Sequence, residues 1–467
     1  MTRRTLLAGA VARQRRAPNF ILITCDDLGY ADIGPFNPGV RYTPALDRLA
    51  REGTRFTSFY ATPVCTPSRA ALMSGCYSKR VGLEKGSWHG VLMPGDWHGL
   101  NASEITVARV LKNKGYATGC IGKWHLGDQP EFLPTRHGFD SYFGLPYSND
   151  MNPTNKGQAP LFEHPHPPLP LLRDDKVLKE IVDQSDLTKM YTAEAVRFIN
   201  QNRGGPFFLY IPHSMVHGPL AASAAFRGKT GIDLYNDAVA ETDWSVAQIL
   251  SAVEKNGLAR DTIIVFLSDN GGPPRTNNKP LRGNKGSVWE GGVRVPALFW
   301  GPGRVAAGHV TDEVAHNMDI LPTFAALART NPPRDRKIDG HDLTPLLTKA
   351  PGARSKHESL FHYQTDNLRA VRAGRWKLHA NGELYDLDAD IGEAANVAAD
   401  HPEVVKRLQA KLDEARADLG DGAKYPGKGC RPVGKAKGPL RFWIPRHPET
   451  GHPPQAPVHT VAGSPVG

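Results

Sequence analysis

Short, continuous apolar runs, each followed closely by charged, amide or imidazole residues, constrain this chain more than any other feature. NFILITC at residues 19–25 runs into Asp26 and Asp27, and TIIVFLS at 262–268 runs into Asp269 and Asn270. Residues 117–122 run into Lys123, Trp124 and His125, and PFFLYI at 206–211 leads to His213 and His217. An uninterrupted apolar run of this length suits a strand buried on both faces. Between the runs lie helical patterns: 43–53, with Thr43 as N-cap, Pro44 at the first position and Gly53 at the end; 103–114, closed by Gly115; 187–202; 232–256, ended by Gly257; and 318–328. A further strand is expected at 295–300. Strands alternating with helices predict an α/β fold, a large and mostly parallel sheet flanked by helices. In such sheets functional residues gather beyond the carboxyl ends of the strands, which is where the polar clusters stand.

A chain of 467 residues exceeds one simple core. Residues 330–357 read as a connection. Short strands at 368–373, 376–379 and 383–387, then an amphipathic helix at 402–419, predict a small antiparallel sheet with one helix. The expected organisation is an N-terminal segment 1–18, a catalytic domain 19–352, a C-terminal α+β subdomain 353–425 and a basic, loop-like tail 426–467. The net charge of +10 sits at the ends: residues 1–16 carry five Arg and no acid, and residues 420–467 carry seven Lys or Arg against Asp421 and Glu449. No basic stripe lies on a recognisable module, so nucleic acid is not an expected partner. No run approaches the roughly 20 apolar residues of a membrane-spanning helix. Arg3 and Arg4 before a short apolar stretch resemble a twin-arginine export signal, which implies a periplasmic or extracellular location; the alternative is a basic arm.

Two adjacent carboxylates after a buried strand repel each other and are costly to desolvate without a cation. Asp26 and Asp27 alone read equally as a solvated strand end. With Asp269 and Asn270 they make an all-oxygen set that suits Ca²⁺ or Mg²⁺ better than zinc. The five cysteines show no C-x-x-C spacing and imply neither a disulfide framework nor a zinc site. Cys25 and Cys120 lie in strand-like runs as core residues. Cys65 differs: Pro67 and the following Ala-Leu run predict a helix beginning just after it. The positive end of that helix, with Arg69 one turn on, would lower the thiol pKa. A small residue packed at a helix start is the other reading.

C-T-P-S-R at 65–69 matches the C-x-P-x-R signature of the sulfatases. The likeness extends, in order, through NFILITCDDLGYADIG, TPALDRLAREGTRFTSFYATPVCTPSRAALMSG, GYATGCIGKWHLG, GFDSYFGLPYSNDM, SDNGG, GNKGSVWEGGVRVPALFW and LYDLDADIGEAANVAADHPEVV. The chain most resembles the arylsulfatase A and N-acetylgalactosamine-6-sulfatase branch, which implies an alkaline phosphatase-like fold. The resemblance implies that a formylglycine-generating, sulfatase-maturating enzyme oxidises Cys65 to formylglycine. It makes Asp26, Asp27, Asp269 and Asn270, with an oxygen of modified Cys65, the ligands of one Ca²⁺. Arg69 and Lys123 match residues that hold the hydrated aldehyde. His125 matches the base that breaks a covalent sulfated intermediate, and His217 the histidine facing the leaving oxygen, with His213 as runner-up. Lys285 matches a cation on the sulfate, and Ser148 a further polar contact to it. The implied substrate is a sulfate monoester of a small molecule or glycan, and loops 86–99 and 151–173 are expected to set its identity. Two alternatives stand beside this. A phosphomonoesterase or phosphodiesterase on the same fold would carry a metal-binding histidine where Asn270 stands. A non-catalytic glycan-binding relative would not need Lys123, His125, His217 and Lys285 together.

Overall fold

The computed structural model describes residues 16–153, 166–422 and 425–445. The paired arginines and apolar stretch of the expected export signal lie outside the described residues, as do 154–165 of the second substrate loop. The strands are β1 (Asn19–Cys25), β2 (Thr54–Tyr60), β3 (His98–Gly99), β4 (Ala117–Ile121), β5 (Ser141–Gly144), β6 (Pro170–Arg173), β7 (Lys176–Glu180), β8 (Phe207–Pro212), β9 (Thr262–Ser268), β10 (Arg294–Trp300), β11 (His309–Thr311), β12 (Ala315–His316), β13 (Leu360–Gln364), β14 (Asn367–Ala373), β15 (Trp376–His379) and β16 (Leu384–Asp386). The helices are α1 (Pro44–Glu52), α2 (Cys65–Ser74), α3 (Val107–Asn113), α4 (Leu187–Asn202), α5 (Leu234–Lys255), α6 (Glu290–Val293), α7 (Ile320–Leu327), α8 (Thr344–Leu347) and α9 (Pro402–Leu419).

Eleven strands form one mixed sheet in the order β11-β2-β10-β9-β1-β8-β4-β5-β6-β7, with β12 also on β2. Its centre, β9-β1-β8-β4-β5, is wholly parallel, while β10 runs against both β9 and β2. All seven residues of β1 are buried. Phe20 and Leu22 join a core with α2, α3 and α7; Ile21 and Ile23 join a second core with α1, α4 and α5. Helices on both faces are thus the reason the run is buried throughout and apolar at all positions but Asn19 and Thr24.

A separate antiparallel sheet, β13-β14-β15-β16, packs against α9, as expected for the C-terminal region. Val404, Leu408, Leu412, Ala415 and Leu419 form the buried stripe of α9, at helical spacing. Within the basic tail, residues 434–435 pair with β3, and Arg431 bonds Glu104 at 2.7 Å. Trp443 donates to the Asp128 carbonyl at 2.7 Å. No helix among the described residues is long and apolar enough to cross a membrane.

Some helix boundaries differ from expectation. α3 starts at Val107 rather than 103, because the Thr106 hydroxyl accepts from the Arg109 amide and caps it there. Ser103 instead turns onto the Asn101 side chain. Thr43 does not cap α1 with its side chain; its hydroxyl accepts from the Gly34 amide, and Asp243 receives the Ala45 and Leu46 amides.

Candidate active site

The parallel centre delivers its polar clusters to one edge. β1 ends at Asp26 and Asp27, β9 at Asp269 and Asn270, β4 at Lys123 and His125, and β8 leads to His217. β5 adds Ser148, Asn149 and Asp150. β2 runs in the same direction and hands the chain to α2, which starts at Cys65 itself rather than just after it. The antiparallel β10 begins at this edge, which places the preceding loop and Lys285 there. Close approach of β4 and β8 depends on Gly122, at φ +133°, where a Cβ would lie 1.9 Å from the Pro212 carbonyl oxygen. Asp27 and His125 take left-handed backbone angles, φ 63° and 59°. For such residues this costs about 1–3 kcal/mol each and is typical of functional positions.

Opposite charges interleave in the cluster. Arg69 donates through Nη2 to Asp26 at 3.2 Å and to Asp269 at 2.8 Å, and through Nη1 to the Lys123 carbonyl at 2.6 Å. Lys123 Nζ donates to Asp26 at 2.5 Å and to Ser148 Oγ at 2.9 Å. Lys285 Nζ lies 2.7 Å from Asp27 Oδ1, and His217 Nε2 lies 3.6 Å from Asp27 Oδ2. Asn270 Nδ2 donates to Asp27 at 2.8 Å, while its buried Oδ1 has no partner. Cys65 Sγ stands 3.5 Å from Asp26 Oδ1. Ligand atoms of Asp26, Asp27, Cys65 and His217 all lie within 4.8 Å of one another, so this group can hold a metal ion. A bare acceptor on Asn270 beside two carboxylates fits a hard cation. Asp269 faces Arg69 more directly, and its Oδ1 accepts the Asp27 amide at 3.3 Å.

The surroundings set the protonation states. Burial alone would raise the Asp26 pKa, but Lys123, His217, Arg69 and Lys285 together hold it well below the usual range. Asp27 is lowered against its burial by Lys285 and His217. Asp269 is raised, by burial and by its neighbour Asp26, in spite of Arg69. The Cys65 thiol corrects an expectation. Rather than being lowered at the helix start, its pKa is pushed up to about 12, by burial first and then by Asp26. Burial and the adjacent carboxylates prevail over Lys123 and Lys285, which pull the other way. Burial, with Lys123 and Arg69, holds His125 well below its usual value, so it is neutral. Its Nε2 bonds the Leu92 carbonyl at 2.9 Å, and Nδ1 is buried without a partner; the bond places the proton on Nε2 and leaves a lone pair on Nδ1.

His213 stands apart from the cluster, buried beside Ser245 at 3.3 Å and the ring of Tyr191. Several contributors carry weak sequence signals. Asp150 is nearly buried near His217 and Lys123, which lower its pKa against burial; only its place two residues after Ser148, behind a short strand, points to it. Asn317 donates to both Ser68 oxygens, at 3.0 and 2.8 Å, and steadies α2 from a distant stretch of chain. Leu92 acts through its backbone, with its amide on Thr66 Oγ1 at 3.2 Å and its carbonyl on His125. A backbone role leaves no residue-type signal.

A doubly wound sheet with carboxylates, buried cations and a possible metal position beyond its carboxyl edge defines a hydrolase of anionic esters on an alkaline phosphatase-like frame. The sulfatase family model matches residues 18–330, and a model described as N-sulphoglucosamine sulphohydrolase, C-terminal, matches residues 284–418. Human arylsulfatase A is 38% identical over 461 residues, covering 86% of this chain and 89% of its own. Mouse N-acetylgalactosamine-6-sulfatase is 37% identical over 383 residues, covering 78% and 72%. The crystal structure of Ps i-CgsB in complex with k-i-k-neocarrahexaose matches at a TM-score of 0.74 and 32% identity, covering 86% and 92%. The chain belongs to the sulfatase family and is a sulfuric ester hydrolase.

Proposed function

We propose that this sulfatase removes sulfate from a sulfated carbohydrate, using Cys65 matured to formylglycine beside one Ca²⁺. The observation that carries the reading is the meeting of Cys65 with Arg69, Lys123 and Lys285 within a cage of three carboxylates. Asp26, Asp27, Asp269 and Asn270, with the modified side chain of residue 65, would hold the ion, which would supply positive charge against the sulfate oxygens. Formylglycine at residue 65 would supply, as its hydrate, two hydroxyls on one carbon for transfer and release of the sulfuryl group. A separate maturating enzyme makes the aldehyde.

The chain's own residues do the rest. Lys123 and Lys285 already stand on the carboxylates and reach the sulfate oxygens as charge grows there, the kind of preorganised term that dominates such sites. Ser148 orients Lys123 and contacts the sulfate. Arg69 locks Asp26 and Asp269 and steadies the nucleophile. His217 donates from Nδ1 to the Gly218 carbonyl at 2.6 Å, which aims Nε2 inward; with both ring nitrogens protonated, Nε2 is the donor to the leaving oxygen. His125 is neutral with a lone pair on Nδ1, the state a general base needs. A sulfated glycan substrate is supported by the carbohydrate named in the matched crystal structure.

Peptide mass spectrometry of active enzyme, set beside sulfate release and metal analysis, tests the reading. Formylglycine at position 65, with activity lost on chelation and restored by Ca²⁺, is expected. Full sulfate release from protein whose residue 65 is wholly free thiol would sink it.

A further inference from the structure

Arg275 is the observation the proposed chemistry leaves unused. It lies exposed in the loop that joins Asn270 to Lys285. Its Nη2 donates to the Val216 carbonyl at 3.1 Å, and both Nη atoms lie 3.8 Å from where a Cβ on Gly218 would stand. The guanidinium therefore sits against the backbone on both sides of His217, the residue read as facing the leaving alcohol. A side chain at 218 would meet it directly; glycine leaves that face open.

Other cations of this region are engaged. Lys285 is on Asp27, and Arg294 is on Glu290 and Ser58. Arg282 donates to the Glu393 carbonyl and covers the Trp289 ring at 3.8 Å. Arg275 has no carboxylate partner among the described residues, and one backbone bond uses a single one of its five N–H donors.

The loop around it is fixed. Thr276 turns back onto the Pro273 carbonyl, through its amide at 2.9 Å and its hydroxyl at 2.8 Å. The Asn277 amide donates to Asp32 at 3.1 Å, and the Asn277 carbonyl accepts from Ala31 at 2.8 Å. Asn278 accepts from Tyr30 and Gly272 and donates to the Gly272 carbonyl at 2.8 Å. A forked cation on a pinned loop suits planar, two-point recognition of an oxyanion.

Resting on the reading of this edge as a sulfatase active site, we propose that Arg275 is a specificity-determining residue that binds a second anionic group, a carboxylate or a further sulfate, on the alcohol part of the ester. The preferred substrate is then a multiply anionic glycan rather than a singly sulfated neutral sugar. The leaving group must emerge past His217, and Arg275 meets it there.

The test uses the full-length matured enzyme and aryl sulfates. Phenyl sulfate is compared with the three carboxyphenyl sulfates and with the three benzenediol disulfates, on wild type, Arg275→Gln and Arg275→Lys. At least one dianionic isomer should show a KM below that of phenyl sulfate, and raising salt should erode that advantage. Arg275→Gln should raise KM for that isomer about tenfold more than for phenyl sulfate, with Arg275→Lys in between. A gain among the carboxylates alone or the disulfates alone identifies the anion. If no dianionic isomer binds better, or if Arg275→Gln weakens all substrates equally, the proposal is wrong while the sulfatase reading stands. If wild type hydrolyses no sulfate ester, both fall.

Discussion

Two clusters of buried charge lie on either side of the segment that joins Lys285 to Glu290. One is the candidate active site. The other joins the large sheet to the C-terminal sheet. Lys377 Nζ, fully buried, lies 2.9 Å from Glu290 and 3.0 Å from Glu393. Glu393 also accepts the Glu290 amide at 2.6 Å and His379 Nε2 at 3.0 Å. Arg294 at 3.2 Å and the Tyr60 hydroxyl at 2.5 Å complete the shell of Glu290. Burial opposes its ionisation, but Lys377, Arg294 and Arg372 hold its pKa well below the usual range. Each of its carboxylate oxygens has a donor.

The active site is assembled differently. Three carboxylates crowd together, Asp269 is raised rather than lowered, and Asn270 Oδ1, Asn149 Oδ1 and His125 Nδ1 are buried without partners. Buried polar atoms left without partners cost stability. Around Glu290 the carboxylate oxygens are met by the chain's own donors, although His362 Nε2 beside them has no partner, whereas the candidate site leaves three acceptors open to a ligand. Glu84 shows a third arrangement: buried with only the Ser78 hydroxyl as its side-chain partner, its carboxyl is pushed up to about 8 by burial and stays protonated at neutral pH.

The contrast can be broken by substitution. Cys65→Ala should lower sulfate release by on the order of 10⁶, with a melting temperature close to wild type; a large stability loss would mean that the active-site cluster also holds the fold. Lys377→Met should do the reverse. Leaving Glu290 and Glu393 without their shared ammonium should cost about 3–5 kcal/mol in denaturant unfolding, while kcat per folded molecule changes only a few-fold. A fall in kcat without loss of stability would show that this cluster serves catalysis.

Lys285→Ala should reduce kcat by about 10²–10³ in a chain that remains folded, because Lys285 is partly exposed and its loop is tied by backbone bonds from Lys285 to Gly272 and from Gly286 to Pro63. Unchanged kcat on an aryl sulfate would remove Lys285 from the sulfate. The effect expected at Glu84 is one that changes with pH. Its folded pKa lies above its unfolded one, so the native state holds the proton longer and loses stability as pH rises from the unfolded value toward about 8. The slope is about 1.4 kcal/mol per pH unit at most. Glu84→Gln should therefore be more stable than wild type at pH 8, with the gain shrinking toward pH 4.5. Melting curves across that range check the sign, and a constant difference would mean that Glu84 is ionised in the folded protein.

The elements that matched expectation share a physical cause. β1, β9, α4 and α9 follow their sequence patterns because burial on both faces, or on one helical stripe, dictates which residues are apolar. β2 carries a weaker strand signal: in TRFTSFY, Arg55 and Thr57 are half-buried and the other five residues are buried between its neighbours β10 and β11. β5, β6 and β7 lie toward one margin of the sheet and are only four, four and five residues long, too short for a clear pattern. Asp26, Asp27, Asp269, Asn270, Lys123 and His125 stand out because they follow buried strands directly. Lys285 and Ser148 do not, and they became candidates only through resemblance to a family.

The amino-acid sequence by itself determined the alternation of strand and helix, the polar ends of the strands and the cysteine at a helix start, because local periodicity and capping are properties of neighbours along the chain. Tertiary structure decided the rest. The antiparallel insertion of β10 carries Lys285 to the same edge as Asp27, 258 positions away in the chain. The Cys65 thiol is raised by burial first and then by Asp26, 39 residues away in the chain. Long-range charge at a buried site is set by which strands become neighbours, and no local pattern encodes that distance.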